Sequence, residues 1–226
     1  MSDSPSLESP GGHGVLPPPI VIEPSTPWLS IWTRPRATLR LILATDPRRG
    51  VFRLAALGGI AEFLALCVRE GVGDTYSIPV LLALSLGAGT VLGILGILVF
   101  TAVIAPIGRW LKGRGGSAEV MAALAWANVP AIWGLLLWLP RAALLGEETF
   151  HPLPAIVQGN PEALLFFGFL QFLQVVIGLW GFAITLKCLG EAHGFSAWRA
   201  FLTLIGAGFV VILPIALIVT ALQALS

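Results

Sequence analysis

The sequence predicts an all-α, polytopic integral membrane protein with five transmembrane helices. Of its 226 residues, 56% are hydrophobic and only 11% are charged, whereas soluble domains carry about 25% charged residues. Five apolar segments are long enough to cross a hydrocarbon core of about 30 Å, and short polar stretches separate them. We expect the five spans at about residues 51–68, 78–111, 118–145, 163–186 and 200–225.

The N-terminal segment differs in composition from the rest of the chain. Residues 1–27 contain seven of the 17 prolines and no apolar run of the length that a signal peptide needs. We therefore predict that residues 1–27 are a disordered, proline-rich cytosolic tail. Residues 28–226 then form one five-helix membrane domain.

An amphipathic segment, PWLSIWTRPRATLRLIL, lies between this tail and the first span. Trp28, Ile31 and Trp32 recur at helical spacing, and arginines surround the apolar positions. The segment is too short and too charged to cross a membrane. We expect it to lie at the membrane interface, with its tryptophans at the level of the headgroups. A cytosolic linker without lipid contact is the alternative.

The hairpin RWLKGRGGS, between the second and third spans, indicates the orientation of the chain. Its glycines allow a tight reversal, and Ser117 suits the N-cap of the next helix. With the N-terminus inside, the inner segments hold 11 Lys and Arg residues and the outer ones only Arg69 and Arg141. This distribution predicts a cytoplasmic N-terminus and an external C-terminus. Candidates for cytoplasmic lipid contact are Arg34, Arg36, Arg40, Arg48, Arg49, Arg109, Lys112, Arg114 and Arg199.

Polar residues inside the predicted spans are candidates for an intramembrane site. They are Glu62, Asn128, Gln171 and Gln174. Because a charged side chain at mid-bilayer costs about 3 kcal/mol or more, Glu62 should face other helices. These residues either contact a substrate or ion, or form hydrogen bonds between helices.

Small residues and proline predict close packing and a break in the spans. Gly89 and Gly93 form a G-x-x-x-G pair, and Gly96 extends their face. We expect this face to pack against another helix of the same chain, with dimerisation as the alternative. Pro130 frees a backbone carbonyl one turn earlier, and Asn128 could bond to the distorted backbone.

Several classes of function lack a signal. A net charge of +1 argues against the usual basic nucleic-acid footprint. The two cysteines fall at opposite membrane faces, and the three histidines are scattered, so we predict no disulfide and no metal site. Glu191 and His193, in the last inner loop, fit an interfacial anchor. The spans carry no catalytic motif, and we predict neither enzyme activity nor a cofactor.

Three segments, taken in order, resemble the Yip family of membrane proteins, named for their interaction with Ypt and Rab GTPases. The segments are PWLSIWTRPRATLRLIL, GRWLKGRGGSAEVMAALAWANVP and LKCLGEAHGFSAWRAFL, within residues 28–222. The resemblance implies five spans and a cytosolic N-terminus. Eukaryotic members act in vesicle trafficking and contact prenylated small GTPases. A GTPase partner for this chain would rest on that analogy alone.

Two functional hypotheses follow. In the first, the chain is a non-enzymatic protein of a bacterial inner membrane that organises the membrane or a partner complex through its basic cytoplasmic face. Its partners would be anionic lipids, another membrane protein or further copies of itself. In the second, the chain is a small transporter, channel or lipid-moving protein that uses the four intramembrane polar residues.

Overall fold

The computed structural model describes residues 27–225, and within this range all regular structure is helical. Five helical units in this part of the chain are long and apolar enough to cross a membrane. This finding confirms the predicted fold class. The prediction of a disordered tail concerns residues that lie outside the described range, apart from Pro27. The five units are Val51–Arg69, Ile78–Trp110, Ser117–Phe150, Pro161–His193 and Ala197–Pro214.

Two short helices, α1 (Pro27–Thr33) and α2 (Pro35–Thr45), precede the first span. Pro35 occupies the first turn of α2, where a missing N–H costs no helical hydrogen bond. Ile31 and Leu39 are fully buried, in the same apolar cluster as residues of the third and fourth spans. Part of the apolar face of these helices is therefore covered by the bundle, while Trp28 and Leu29 remain exposed. The sequence predicted a segment at the membrane interface and did not indicate this packing.

The first two spans pack against each other at glycines. They are α3 (Val51–Arg69) and a unit made of α4 (Ile78–Leu84), a π-helical turn at Ser85–Gly89, and α5 (Thr90–Trp110). A Cβ atom built on Gly93 would lie 2.8 Å from the Cα atom of Gly59. The backbones thus touch, and the glycine face packs within the chain. At Gly96 a Cβ atom would meet only Phe100 of its own helix, at 3.9 Å.

The third span is broken into α6 (Ser117–Ala127), α7 (Val129–Gly134) and α8 (Trp138–Leu145). The first break falls at Asn128, two residues before Pro130, because proline cannot donate the backbone hydrogen bond that would continue α6. The predicted N-cap at Ser117 is wrong by one residue. Gly116 keeps extended backbone angles and caps α6, so Ser117 is already helical.

The last two spans follow a short helix, α9 (Ala155–Gln158). In α10 (Pro161–His193), the Asn160 side chain accepts hydrogen bonds from two backbone N–H groups of the first turn. Gly194, at φ 69°, ends α10, and α11 (Ala197–Leu225) follows. α10 continues beyond the predicted end at residue 186.

In the core of the bundle, α6 buries small residues against α3 and α10. Small residues allow these helices to approach closely.

Candidate functional site

Three segments that are distant in sequence meet at one end of the bundle, which we call the basic end: α2, the hairpin at 111–116 and the turn at 194–196. Arg40 Nε donates a hydrogen bond to Glu191 Oε1 at 2.7 Å. Arg36 donates to the backbone oxygen of Phe195 at 3.3 Å. The backbone N–H of Arg114 donates to the oxygen of His193 at 2.9 Å. These contacts hold the three segments together as one surface.

The cationic side chains of the basic end fall into two groups. Arg36 and Arg40 both face Glu191, at 3.9 Å and 2.7 Å, and fasten α2 to α10. The hydrogen bond from Arg40 to Glu191, and the charge of Glu191, raise the pKa of Arg40. The other predicted lipid-contact residues make no ion pair with any described residue. They are Arg34, Arg48, Arg49, Arg109, Lys112, Arg114 and Arg199.

His193 lies beneath this surface, although the sequence indicated only an interfacial anchor. The residue is only 1% exposed, and its ring stacks on that of Phe195 with the two centroids 5.0 Å apart. A Cβ atom on Gly113 would lie 2.6 Å from His193 Nδ1. Neither ring nitrogen has a hydrogen-bond partner among the described residues. The hairpin glycines therefore leave space for the His193 ring as well as allowing the chain to turn. No spacing in the sequence indicates that these glycines contact His193.

A second candidate site is a groove of about 350 Å³ at membrane depth, between α3 and α5 and bordered by α6 and α10; we call it the α3–α5 groove. Glu62, Arg69, Asn128 and Thr185 line it together with apolar side chains. The Glu62 carboxylate and the Asn128 amide form no hydrogen bond within the described chain. A Cβ atom on Gly58 would lie 2.7 Å from Asn128 Nδ2, so this glycine admits the amide.

The other two predicted intramembrane residues lie elsewhere. Gln171 Oε1 accepts a hydrogen bond from Arg141 Nη1 at 3.2 Å, at the opposite end of the bundle from the basic end. Gln174, one turn further along α10, does not line the groove. The four predicted residues therefore do not share one site. Glu62 and Asn128 come together, whereas Gln171 and Gln174 do not join them.

Arg141 was predicted only as a charge of an outer loop, yet it is 5% exposed. Its guanidinium donates to the backbone oxygens of Thr149 at 2.9 Å and His151 at 3.1 Å. It also lies 5.2 Å from the centroid of the Phe167 ring. His151 in turn contacts Asp74 at 2.6 Å, which links two loops at this end. The sequence carries no signal for this network, because its acceptors are backbone carbonyls and a glutamine.

These features define a multi-pass helical membrane protein with a basic end and a lateral groove. The chain matches the family model of the Yip1 domain over residues 29–218. It therefore belongs to the Yip1 domain family, as the resemblance over residues 28–222 predicted. Comparison with curated proteins and with solved structures finds no match.

Proposed function

We propose that this protein organises a membrane or a membrane-protein complex through its basic end, without catalysing a reaction. The observation that carries the proposal is the group of seven cationic side chains that lie at one end of the bundle without an acidic partner among the described residues. A cluster of one sign of charge attracts anionic lipid headgroups or an acidic protein surface.

The surroundings of these charges support a membrane location for the basic end. Trp110 is 85% exposed and Trp198 is 66% exposed, and both flank the cationic loops. Tryptophan is enriched at the membrane interface, where its apolar ring and polar N–H meet lipid and water. The contacts of Arg36 and Arg40 with Glu191 hold α2 in place. The surface is therefore formed before a partner arrives, which lowers the entropic cost of binding.

We further propose the orientation and location of the chain. The basic end faces the cytoplasm of a bacterial cell, and the end with Arg141 faces outward across the inner membrane. The partner is anionic lipid, a membrane protein or a second copy of the chain, while a GTPase partner rests on family analogy alone. No cofactor is needed for this role. The distribution of Lys and Arg supports the orientation.

A membrane-impermeant maleimide tests the orientation. We expect Thr75→Cys to be labelled in intact cells and Ser117→Cys only after permeabilisation, because both positions are exposed and lie at opposite ends of the bundle. The natural cysteines, Cys67 and Cys188, are buried and should give little background. The reverse labelling pattern would contradict the orientation.

Neutralising the hairpin tests the proposed function. We expect the triple change Arg109→Gln, Lys112→Gln and Arg114→Gln to weaken binding of a short-chain phosphatidylglycerol to the protein in neutral detergent at least about tenfold. The reason is that each charge near an anionic headgroup contributes about 1 kcal/mol. The control replaces each residue with the other basic type (Arg109→Lys, Lys112→Arg and Arg114→Lys), which keeps the charge. Unchanged binding in the glutamine variant would refute a lipid-binding role for the hairpin.

The alternative function, a small transporter, channel or lipid-moving protein, receives less support. It required the four intramembrane polar residues to act together, and only Glu62 and Asn128 line the same groove. Gln171 is engaged by Arg141. We therefore favour the membrane-organising function of the basic end over transport. The α3–α5 groove is considered separately, as a binding site.

A further inference from the structure

We propose that the α3–α5 groove binds the headgroup of a membrane lipid that carries both a phosphate and a primary ammonium group. The groove lies along the first two spans and shares no residue with the basic end. Lipid binding there is thus a separate property from the function proposed above. Four features support it: the depth of the groove, its exposure, its charges and its glycine floor.

The depth and exposure of the groove restrict the occupant to a molecule of the bilayer. α3 has 19 residues, a length of about 28 Å at 1.5 Å per residue. Glu62 lies seven residues before Arg69, which places it about 10 Å from that end of the helix and inside the hydrocarbon. Leu92 and Phe100, on the α5 wall, are exposed and meet lipid in a membrane. A lipid can therefore enter from the side.

The two charged residues of the groove select a zwitterion. Glu62 and Arg69 are separated by two helical turns and both line the groove, so they lie along one face of α3. Neither forms an ion pair with a residue in the described part of the chain. An anion alone would leave the Glu62 carboxylate unpaired at membrane depth, and a cation alone would leave the Arg69 guanidinium unpaired. A headgroup with phosphate towards Arg69 and ammonium towards Glu62 satisfies both.

The polar neighbour of Glu62 favours a primary amine over a quaternary one. Asn128 also faces the groove with its amide unbonded among the described residues. A primary ammonium has three N–H donors, and the Glu62 carboxylate and the Asn128 oxygen can both accept from it. A trimethylammonium group has no N–H to donate. We therefore infer selectivity for phosphoethanolamine over phosphocholine headgroups.

Glycines give the headgroup access to these polar atoms. Gly59 and Gly93 line the groove, and at each of them an added Cβ atom would meet backbone atoms of the facing span at 2.8 Å or less. The space between α3 and α5 is therefore floored by backbone rather than by side chains. A polar headgroup can approach the floor closely, while its acyl chains remain in the bilayer beside the exposed apolar wall.

Native mass spectrometry of the purified full chain tests this proposal. The protein is equilibrated with equal amounts of phosphatidylethanolamine and phosphatidylcholine that carry identical acyl chains. We expect about tenfold greater retention of phosphatidylethanolamine, since charge-assisted hydrogen bonds distinguish the two headgroups. Glu62→Gln should reduce this preference to parity, whereas Glu62→Asp should retain it. Glu70→Gln, eight residues further along the chain and outside the groove lining, is the matched control and should change nothing.

Three results would overturn the proposal: equal retention of both lipids by the natural chain, an unchanged preference in Glu62→Gln, or a groove occupied by a second copy in a lipid-free dimer. Glu62 is exposed and makes no hydrogen bond in the described structure, so Glu62→Gln is expected to fold, and an unchanged melting temperature verifies this. The triple glutamine variant of the hairpin should keep the lipid preference. Failure of the basic-end proposal is therefore distinguishable from failure of this one.

Discussion

Replacing Gly59 with valine is expected to destabilise the bundle by about 3 kcal/mol or more, at the upper end of the cost of overpacking. A Cβ atom at this position would lie 2.5 Å from the Cα atom of Gly93 on α5. The colliding atoms belong to backbone, which cannot rotate away as a side chain can. The helices must therefore separate, and the dispersion contacts along α3 and α5 are lost with them.

Thermal unfolding of the purified protein in detergent measures this effect as a lower melting temperature. The matched control is Gly178→Ala on α10, because an added Cβ atom there meets nothing within 4 Å. Alanine also has the higher helix propensity, so this control should be neutral or slightly stabilising. A natural-like melting temperature for Gly59→Val would show that the close approach of α3 and α5 does not contribute to stability.

Replacing Arg141 with methionine should cost a similar amount, about 3 kcal/mol, for a different reason. The guanidinium donates to the backbone oxygens of Thr149 and His151 and to Gln171 Oε1. Methionine fills much of the same volume but leaves these acceptors without donors, and each unsatisfied buried group costs about 1–3 kcal/mol. The loops at this end should loosen as well, since Arg141 binds the segment that carries His151.

Chemical or thermal unfolding again provides the measurement, with amide hydrogen exchange at 146–151 as a local readout. Arg141→Lys should recover only part of the stability, because a single ammonium cannot reproduce the geometry of the guanidinium. Arg199→Gln serves as a control, since this arginine is exposed and forms no ion pair with a described residue; its effect should stay within about 0.5 kcal/mol. Equal stability of Arg141→Met and the natural chain would contradict the role given to this network.

Local patterns explain why much of the fold was predictable. Each span is a long, mostly apolar stretch. The break near Pro130 follows because proline has no backbone N–H to donate, whatever its surroundings. The close packing of Gly89 and Gly93 against another helix also followed from their spacing, although dimerisation remained an alternative until the structure showed the partner within the chain. Their counterpart, Gly59, did not stand out, because a single glycine in an apolar helix has no distinctive pattern.

The candidate sites were predictable only in part, because they combine residues from distant segments. Glu62 and Asn128 share a groove although 66 positions separate them. Gln171 instead accepts a hydrogen bond from Arg141, and the burial of Arg141 depends on how α8 and α10 pack. His193 fits against the glycines of the 111–116 hairpin. None of these contacts has a repeating spacing that a sequence pattern could reveal.

The sequence by itself determined the membrane class, the number of spans, the concentration of Lys and Arg at one end and the membership of the family. These properties depend on hydropathy and charge, which each segment carries on its own. Only the tertiary structure decided that Ile31 and Leu39 are covered by the bundle, that Glu191 pairs with Arg36 and Arg40, and that a groove opens beside Glu62. Such outcomes depend on which surfaces meet when helices pack, and packing joins segments that are far apart along the chain.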